Sequence, residues 1–337
     1  MRKNPETNGL GVYLKSKKFN LDFGYSSGIT GNLDWQAPLN IASVTKMYVA
    51  VAIMKLVELD KLSLDKPISE FLDAGMINEL RNASFVPDEI KIMHLLSNTS
   101  GIPDYVDTPV FQQRTTQSPS YSWTHEEQIL LALTNSAKRF QPGERFEFSE
   151  TNYLLLTLII ERCYKQPFHL AIRELLDFGS KNLNNTWFIL QETKPIHTRD
   201  FHLQTAKSLG VESHSLHPSF DAFGGGGMAS TVEDMSKFGY ELLNGGILKN
   251  PDGLKLMLVE PATLDGKKNH YGLGLMKSSL EEEFSFGHGG FWGTHLRIFP
   301  NFDLSIGVFV LERDAWVVYK TFFQQLSELL NEHQATI

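Results

Sequence analysis

One cysteine, Cys163, stands among 337 residues, so an internal disulfide is excluded and no oxidising compartment is required. Positive charge is in deficit. Lys and Arg number 31 against 39 Asp and Glu, a formal net charge of −8, which argues against nucleic acid or an anionic membrane as the main partner. Long apolar runs are missing: Leu154 to Ile160 stops at Glu161-Arg162, well short of a membrane span. Metal signatures are missing as well. The 11 histidines include no H-E-x-x-H, and His214 with His217 has no acidic or cysteine partner at metal spacing. The tetraglycine Gly224–Gly227 lacks the G-K-[ST] ending of a phosphate loop. No metal and no organic cofactor is expected. No repeat or low-complexity segment appears.

What is present fits a globular chain with an ample core, 42% of it apolar. Met1-Arg2-Lys3 is basic, but no apolar h-region follows. The expectation is a cytoplasmic protein if Met1 is the native start, and a periplasmic or secreted one if a leader has been removed. Nothing in the sequence sets an oligomeric state. Gly11 to Tyr25 reads as a hairpin. From about Ile68 to Pro218 the pattern is helical with long loops. It includes a helix begun by Pro87-Asp88, one capped by Thr124 and Glu127, and a buried one from Asn152 to Cys163. Ser230 with Glu233 reads as a second capping box. Tyr271 to Leu275 is a short strand, Leu296 to Leu311 a hairpin, and Trp316 to Glu332 an amphipathic helix. Strands at both ends with helices between imply an α+β plan. Residues 1–67 and 219–337 would form a discontinuous sheet domain, and 68–218 a mostly helical one.

The chemistry concentrates at Ser43-Val44-Thr45-Lys46. Ser43 and Lys46 are one helical turn apart and share a face. Free N–H groups at a helix start favour an oxyanion. The residues after Lys46, Met47 to Met54, are apolar but for the Tyr48 hydroxyl, so this helix should be buried. Burial disfavours a charged amine, which would leave the lysine able to take a hydroxyl proton. Alone, the spacing is equally that of a helix cap and a snorkelling lysine.

Further stretches change that balance. They are Leu62 to Ile68, Leu95 to Tyr105 (LLSNTSGIPDY), Phe140 to Ser149 (FQPGERFEFS), the tetraglycine with Met228-Ala229-Ser230-Thr231, and Gly287-His288-Gly289-Gly290. Together with Ser43-x-x-Lys46 they resemble the serine β-lactamase and penicillin-binding-protein-like family. The branch is that of class C β-lactamases, D-Ala-D-Ala carboxypeptidases, D-aminopeptidases and related esterases. The resemblance spans about Gly11 to Leu311. It implies a β-lactamase/transpeptidase-like fold, an antiparallel sheet flanked by helices with a helical region inserted. It also implies a serine hydrolase that cleaves a small-molecule or peptide-like ester or amide through an acyl-enzyme. Ser43 matches the nucleophile, Lys46 its proton acceptor, and His288 the third motif. Gly289 and Gly290 would admit substrate backbone, and the N–H groups of Phe291 and Ser43 would form the oxyanion hole.

The second motif departs from the family. Its usual Tyr-x-Asn reads Phe148-Ser149-Glu150, and a phenylalanine cannot shuttle a proton. Glu150 has three open readings. Reaching Lys46, it would favour the ammonium and oppose a base role for the lysine. Facing the acyl carbonyl, it could activate the deacylating water. It could also turn to solvent. Tyr105 and Phe148, with Phe291, are candidate walls of the substrate site. The missing tyrosine keeps two other functions open, a catalytically impaired acyl-binding or sensing protein and an acyltransferase.

Overall fold

The computed structural model describes residues 9–28, 33–135, 137–280 and 283–334. Along the chain, β1 (Gly9–Ser16) and β2 (Leu21–Gly28) form the expected hairpin, followed by the short β3 (Leu39–Asn40). A 3-10 turn, Ala42–Val44, leads into α1 (Thr45–Glu58). The helical stretch contains α2 (Ala74–Asn82), α3 (Ile92–Leu96), α4 (Pro109–Gln117), α5 (His125–Asn135), α6 (Glu150–Tyr164) and α7 (Phe168–Leu175). Short strands follow: β4 (Trp187–Phe188), β5 (Thr205–Ala206), β6 (Val211–Glu212) and β7 (Met228–Ser230). Then come α8 (Val232–Leu243), α9 (Pro251–Leu258), β8 (Met276–Leu280), β9 (Glu283–Gly289), β10 (Thr294–Phe299), β11 (Leu304–Val310) and α10 (Trp316–Gln334).

Both ends of the chain build one antiparallel sheet, in the order β2-β1-β11-β10-β9-β8. β11 is buried at every position, because both of its faces are covered. On one face α8 lies against β11, close enough that a Cβ at Gly307 would sit 2.3 Å from the Val232 carbonyl oxygen. On the other, Phe322, Phe323 and Leu330 of α10 pack on Val12, Ile306 and Val308. Helix α1 runs through the largest core cluster, with Thr45 to Met54 buried without a break. Tyr48 stacks on Phe238 of α8 at 3.8 Å. A helix apolar on all sides is stable only in such a place, and here it holds the Ser43 turn rigidly against both the sheet and α6.

Several local readings are corrected. Thr231, not Ser230, caps α8: its hydroxyl accepts from the Asp234 N–H at 3.1 Å. Ser230 belongs to β7, and Glu233 pairs with Lys237 at 2.7 Å rather than closing a box. The Thr124 hydroxyl does accept from the Glu127 N–H at 3.1 Å. The Glu127 carboxylate, however, turns to Arg114 and Tyr121. No helix starts at Pro87; α3 starts at Ile92. Tyr271 to Leu275 is loop, bridged once to Met276, and the strand follows it as β8.

Candidate active site

Ser43 sits in the 3-10 turn and Lys46 in the first turn of α1, so their side chains meet as the spacing requires: Lys46 Nζ lies 3.0 Å from Ser43 Oγ. Glu150 joins them from the first residue of α6. Its Oε1 is 3.2 Å from Ser43 Oγ, and its Oε2 forms a short ion pair with Lys46 Nζ. The third neighbour of Nζ is the Gly225 carbonyl oxygen, at 2.5 Å. The open question about Glu150 is thereby answered in geometry: the carboxylate points at the lysine and the serine.

The three partners of Lys46 suit an ammonium. Its three partners are a carboxylate oxygen, a carbonyl oxygen and the hydroxyl oxygen whose own proton is directed to Glu150 Oε1. All three are acceptors, and only an ammonium carries three donors. This geometry opposes the uncharged amine expected from burial. Burial alone would favour a neutral lysine, but Lys46 is 0% exposed beside a carboxylate that repays the ammonium's desolvation.

Glu150 is held by the loop before it. The Asp104 carboxylate accepts from the Glu150 N–H at 3.1 Å and from the Val106 N–H at 3.1 Å. Asn98 Oδ1 accepts from the Ser149 N–H and from Asn152 Nδ2, and the Ser149 hydroxyl donates to the Pro103 carbonyl. These bonds are buried and hold the start of α6 against the loop. Two further carboxylates stand near the Glu150 charge. Burial, then repulsion from Glu150, pushes both Asp104 and Asp221 up to about 7. Neither was singled out from the sequence. Asp104 lies in the family-like stretch Pro103-Asp104-Tyr105, which was a usable signal; Asp221, between Phe220 and Ala222, carries none.

His288 lies at the end of β9 and is 2% exposed. Its Nδ1 is 2.7 Å from the Gly289 carbonyl, so it must carry the proton, leaving Nε2 to face the Tyr271 hydroxyl at 3.2 Å. Burial, then the Lys46 charge, pulls its pKa down to about 3. At neutral pH this is an uncharged ring with both nitrogens engaged, a framework member of the cleft strand. Tyr271 continues to the Tyr153 hydroxyl at 3.2 Å, and Tyr153 donates to the Leu96 carbonyl.

The two glycines after His288 are partly exposed and pack against protein on the side a Cβ would take. A Cβ at Gly290 would lie 2.3 Å from the Ile41 carbonyl oxygen, and one at Gly289 would lie 2.8 Å from the His295 ring. Glycine at 290 therefore lets the nucleophile's own turn press against the strand. Tyr105 is 0% exposed, edge-on to Phe111 and close to the Phe220 carbonyl. The expected substrate wall is a core residue here. Phe148 and Phe291 keep partial exposure. The Phe148 ring centroid is 5.2 Å from Lys46 Nζ, and Phe291 lies under the Arg313 guanidinium. Ser43 itself retains 9% exposure, and its neighbour Ala42 lines a cleft of about 280 Å³. Among the described residues no group of three or more His, Cys, Asp or Glu could hold a metal ion, and no helix is long and apolar enough to cross a membrane.

The family model described as Beta-lactamase matches residues 10–314. The chain belongs to that family. Similar proteins include Protein flp of Staphylococcus aureus (strain COL), 29% identical over 47% of this chain and 26% of that protein. This chain thus spans about a quarter of that relative's length. A putative D-alanyl-D-alanine carboxypeptidase of Escherichia coli (strain K12) is 23% identical over 77% of this chain and 66% of that one. Among solved structures, the D-amino acid amidase of Ochrobactrum anthropi SV3 superposes with a TM-score of 0.77 at 21% identity, covering 97% of this chain and 95% of that one. The β-lactamase/transpeptidase fold is thus shared, with the sheet, α1 and α8 as its frame.

Proposed function

We propose that this β-lactamase-family protein is a serine hydrolase that cleaves an ester or amide through an acyl-enzyme on Ser43. The observation that carries the reading is the buried contact of Ser43, Lys46 and Glu150. In the first step the Ser43 hydroxyl proton passes to Glu150 while Oγ bonds to the substrate carbonyl carbon. The Lys46 ammonium, 3.0 Å from Oγ, stabilises the alkoxide character that develops there. Among the described residues, the Ser43 and Phe291 N–H groups bond to no protein acceptor, which suits them to the oxyanion. Glu150 then returns its proton to the leaving group. In the second step it takes one from a water whose oxygen bonds to the acyl carbon, and passes it to Ser43 Oγ as the ester breaks. A carboxylate thus fills the role that Phe148 cannot. The names of the relatives, a carboxypeptidase and an amidase, support an amide as the scissile bond.

The test is intact-protein mass spectrometry after incubation with a fluorophosphonate, an activated ester and a β-lactam. A single adduct is expected on the parent and none on Ser43→Ala. Equal labelling of both proteins would remove Ser43 from the chemistry. If the acyl adduct forms but persists for hours, the replacement of tyrosine by Phe148 has made this an acyl-holding protein or an acyltransferase. Adding amine acceptors separates those two.

A further inference from the structure

The cleft that begins at Ala42 has one carboxylate in its wall, Asp221, and a largely apolar remainder that includes Phe220, Leu216, Met228 and Trp292. The other carboxylates close to the site have donors. Asp104 accepts two backbone N–H groups, and Asp234 accepts from the Asn185 N–H and the Thr186 hydroxyl. Among the described residues none donates a hydrogen bond to the Asp221 carboxylate, and none forms an ion pair with it. The nearby cation, Lys46, already has three acceptors. The carboxylate lies over Gly226, where a Cβ would come 2.2 Å from Oδ1. A carboxylate with no protein donor, at the wall of a largely apolar cleft, is open to the donors of a ligand.

We propose that Asp221 binds the ammonium group of the substrate, so that the acyl donor is an amine-bearing ester or amide with an apolar body, as in an amino-acid amide. This deepens the hydrolase reading and rests on it. The ammonium would supply the donors that Asp221 lacks, and the apolar wall of Leu216, Phe220 and Trp292 would take the side chain beside it. His214 and His217 line the same cleft, with Asp221 its one carboxylate.

The experiment compares matched p-nitroanilides of phenylalanine, with a free and with an N-acetylated amine, D and L, in the parent and in Asp221→Asn. The parent should favour the free amine by tenfold or more in kcat/KM, and the variant should lose most of that ratio. Calorimetric binding of 2-phenylethylamine, with 2-phenylethanol as neutral control, gives a second readout that needs no turnover. The parent should bind the amine at least tenfold more tightly than the alcohol, and Asp221→Asn should bind the two alike. An unchanged amine preference in Asp221→Asn, or no amine preference in the parent by either measure, overturns the proposal. Absence of a Ser43 adduct with selective amine binding would instead sink the hydrolase reading and leave Asp221 as an amine site.

Discussion

Replacing Glu150 by glutamine separates two ways of activating Ser43, because they predict effects of opposite sign. In the parent, the serine proton is directed to Glu150 Oε1 at 3.2 Å, and Lys46 is an ammonium held by three acceptors. Glutamine keeps the shape and an acceptor oxygen but cannot take a proton at neutral pH. Loss of a positioned general base costs about 10²- to 10⁴-fold in rate. The variant also strips a 0%-exposed lysine of its counter-charge, a loss of about 3–5 kcal/mol if the ammonium is kept. The lysine's simplest relief is to shed its proton. If Lys46 were the working base, Glu150→Gln would therefore make it a better one, and labelling would hold or quicken. The assay is the rate of Ser43 modification by a fluorophosphonate at pH 7.5, followed by intact mass, with circular dichroism to confirm folding. A fall of two or more orders of magnitude is expected. Modification at or above the parental rate in a folded variant would refute the assignment.

Three further outcomes follow from the same geometry. Gly290→Ala should destabilise the protein by about 1–3 kcal/mol and slow Ser43 labelling, because the new Cβ would meet the Ile41 carbonyl at 2.3 Å; chemical denaturation and adduct kinetics read both, and a neutral result would mean the turn and strand are not in contact. Asp221→Asn should stabilise the free protein, more so at high pH. The folded state holds the Asp221 proton up to about pH 7, whereas the unfolded chain releases it near 4, so the parent loses stability as pH rises between those values and the asparagine does not. The gain should grow from little near pH 4 to at most about 4 kcal/mol at pH 8, and urea unfolding at both ends with no difference would contradict it. Phe148→Tyr should change the acylation rate by less than threefold while Glu150 is present, whereas Phe148→Tyr combined with Glu150→Asn should recover labelling lost in Glu150→Asn alone; failure of that rescue would show that the family's usual tyrosine has no workable position here.

Where local pattern and global packing agree, the fold is readable before any coordinates. The two hairpins, the apolar α1 and the amphipathic α10 announce themselves by period and turn chemistry. Ser230 and Thr231 both carry a capping hydroxyl, and only strand pairing of Ser230 with Leu39 decides between them. β8 escaped because Lys277, Ser278 and Ser279 make a polar edge strand, which need not alternate. In the site, Ser43 and Lys46 were legible through one helical turn. Glu150 lies 104 positions from Lys46, and no local rule says which way its carboxylate turns. The charge that suits Lys46 depends on that turn, which burial alone does not reveal. Tyr105 lies on a loop that the resemblance places near the cleft, but its ring packs edge-on to Phe111 and its hydroxyl lies 3.5 Å from the Phe220 carbonyl.

The most direct measurement is the number of protons on Lys46 Nζ in the resting protein, seen by neutron diffraction or by proton-coupled nitrogen NMR of the labelled side chain at neutral pH. Three protons on Nζ, with the Ser43 hydrogen directed at a bare Glu150 carboxylate, is the result expected. Two protons on Nζ and one on Glu150 would mean that the lysine, not the carboxylate, stands ready to receive the serine's proton.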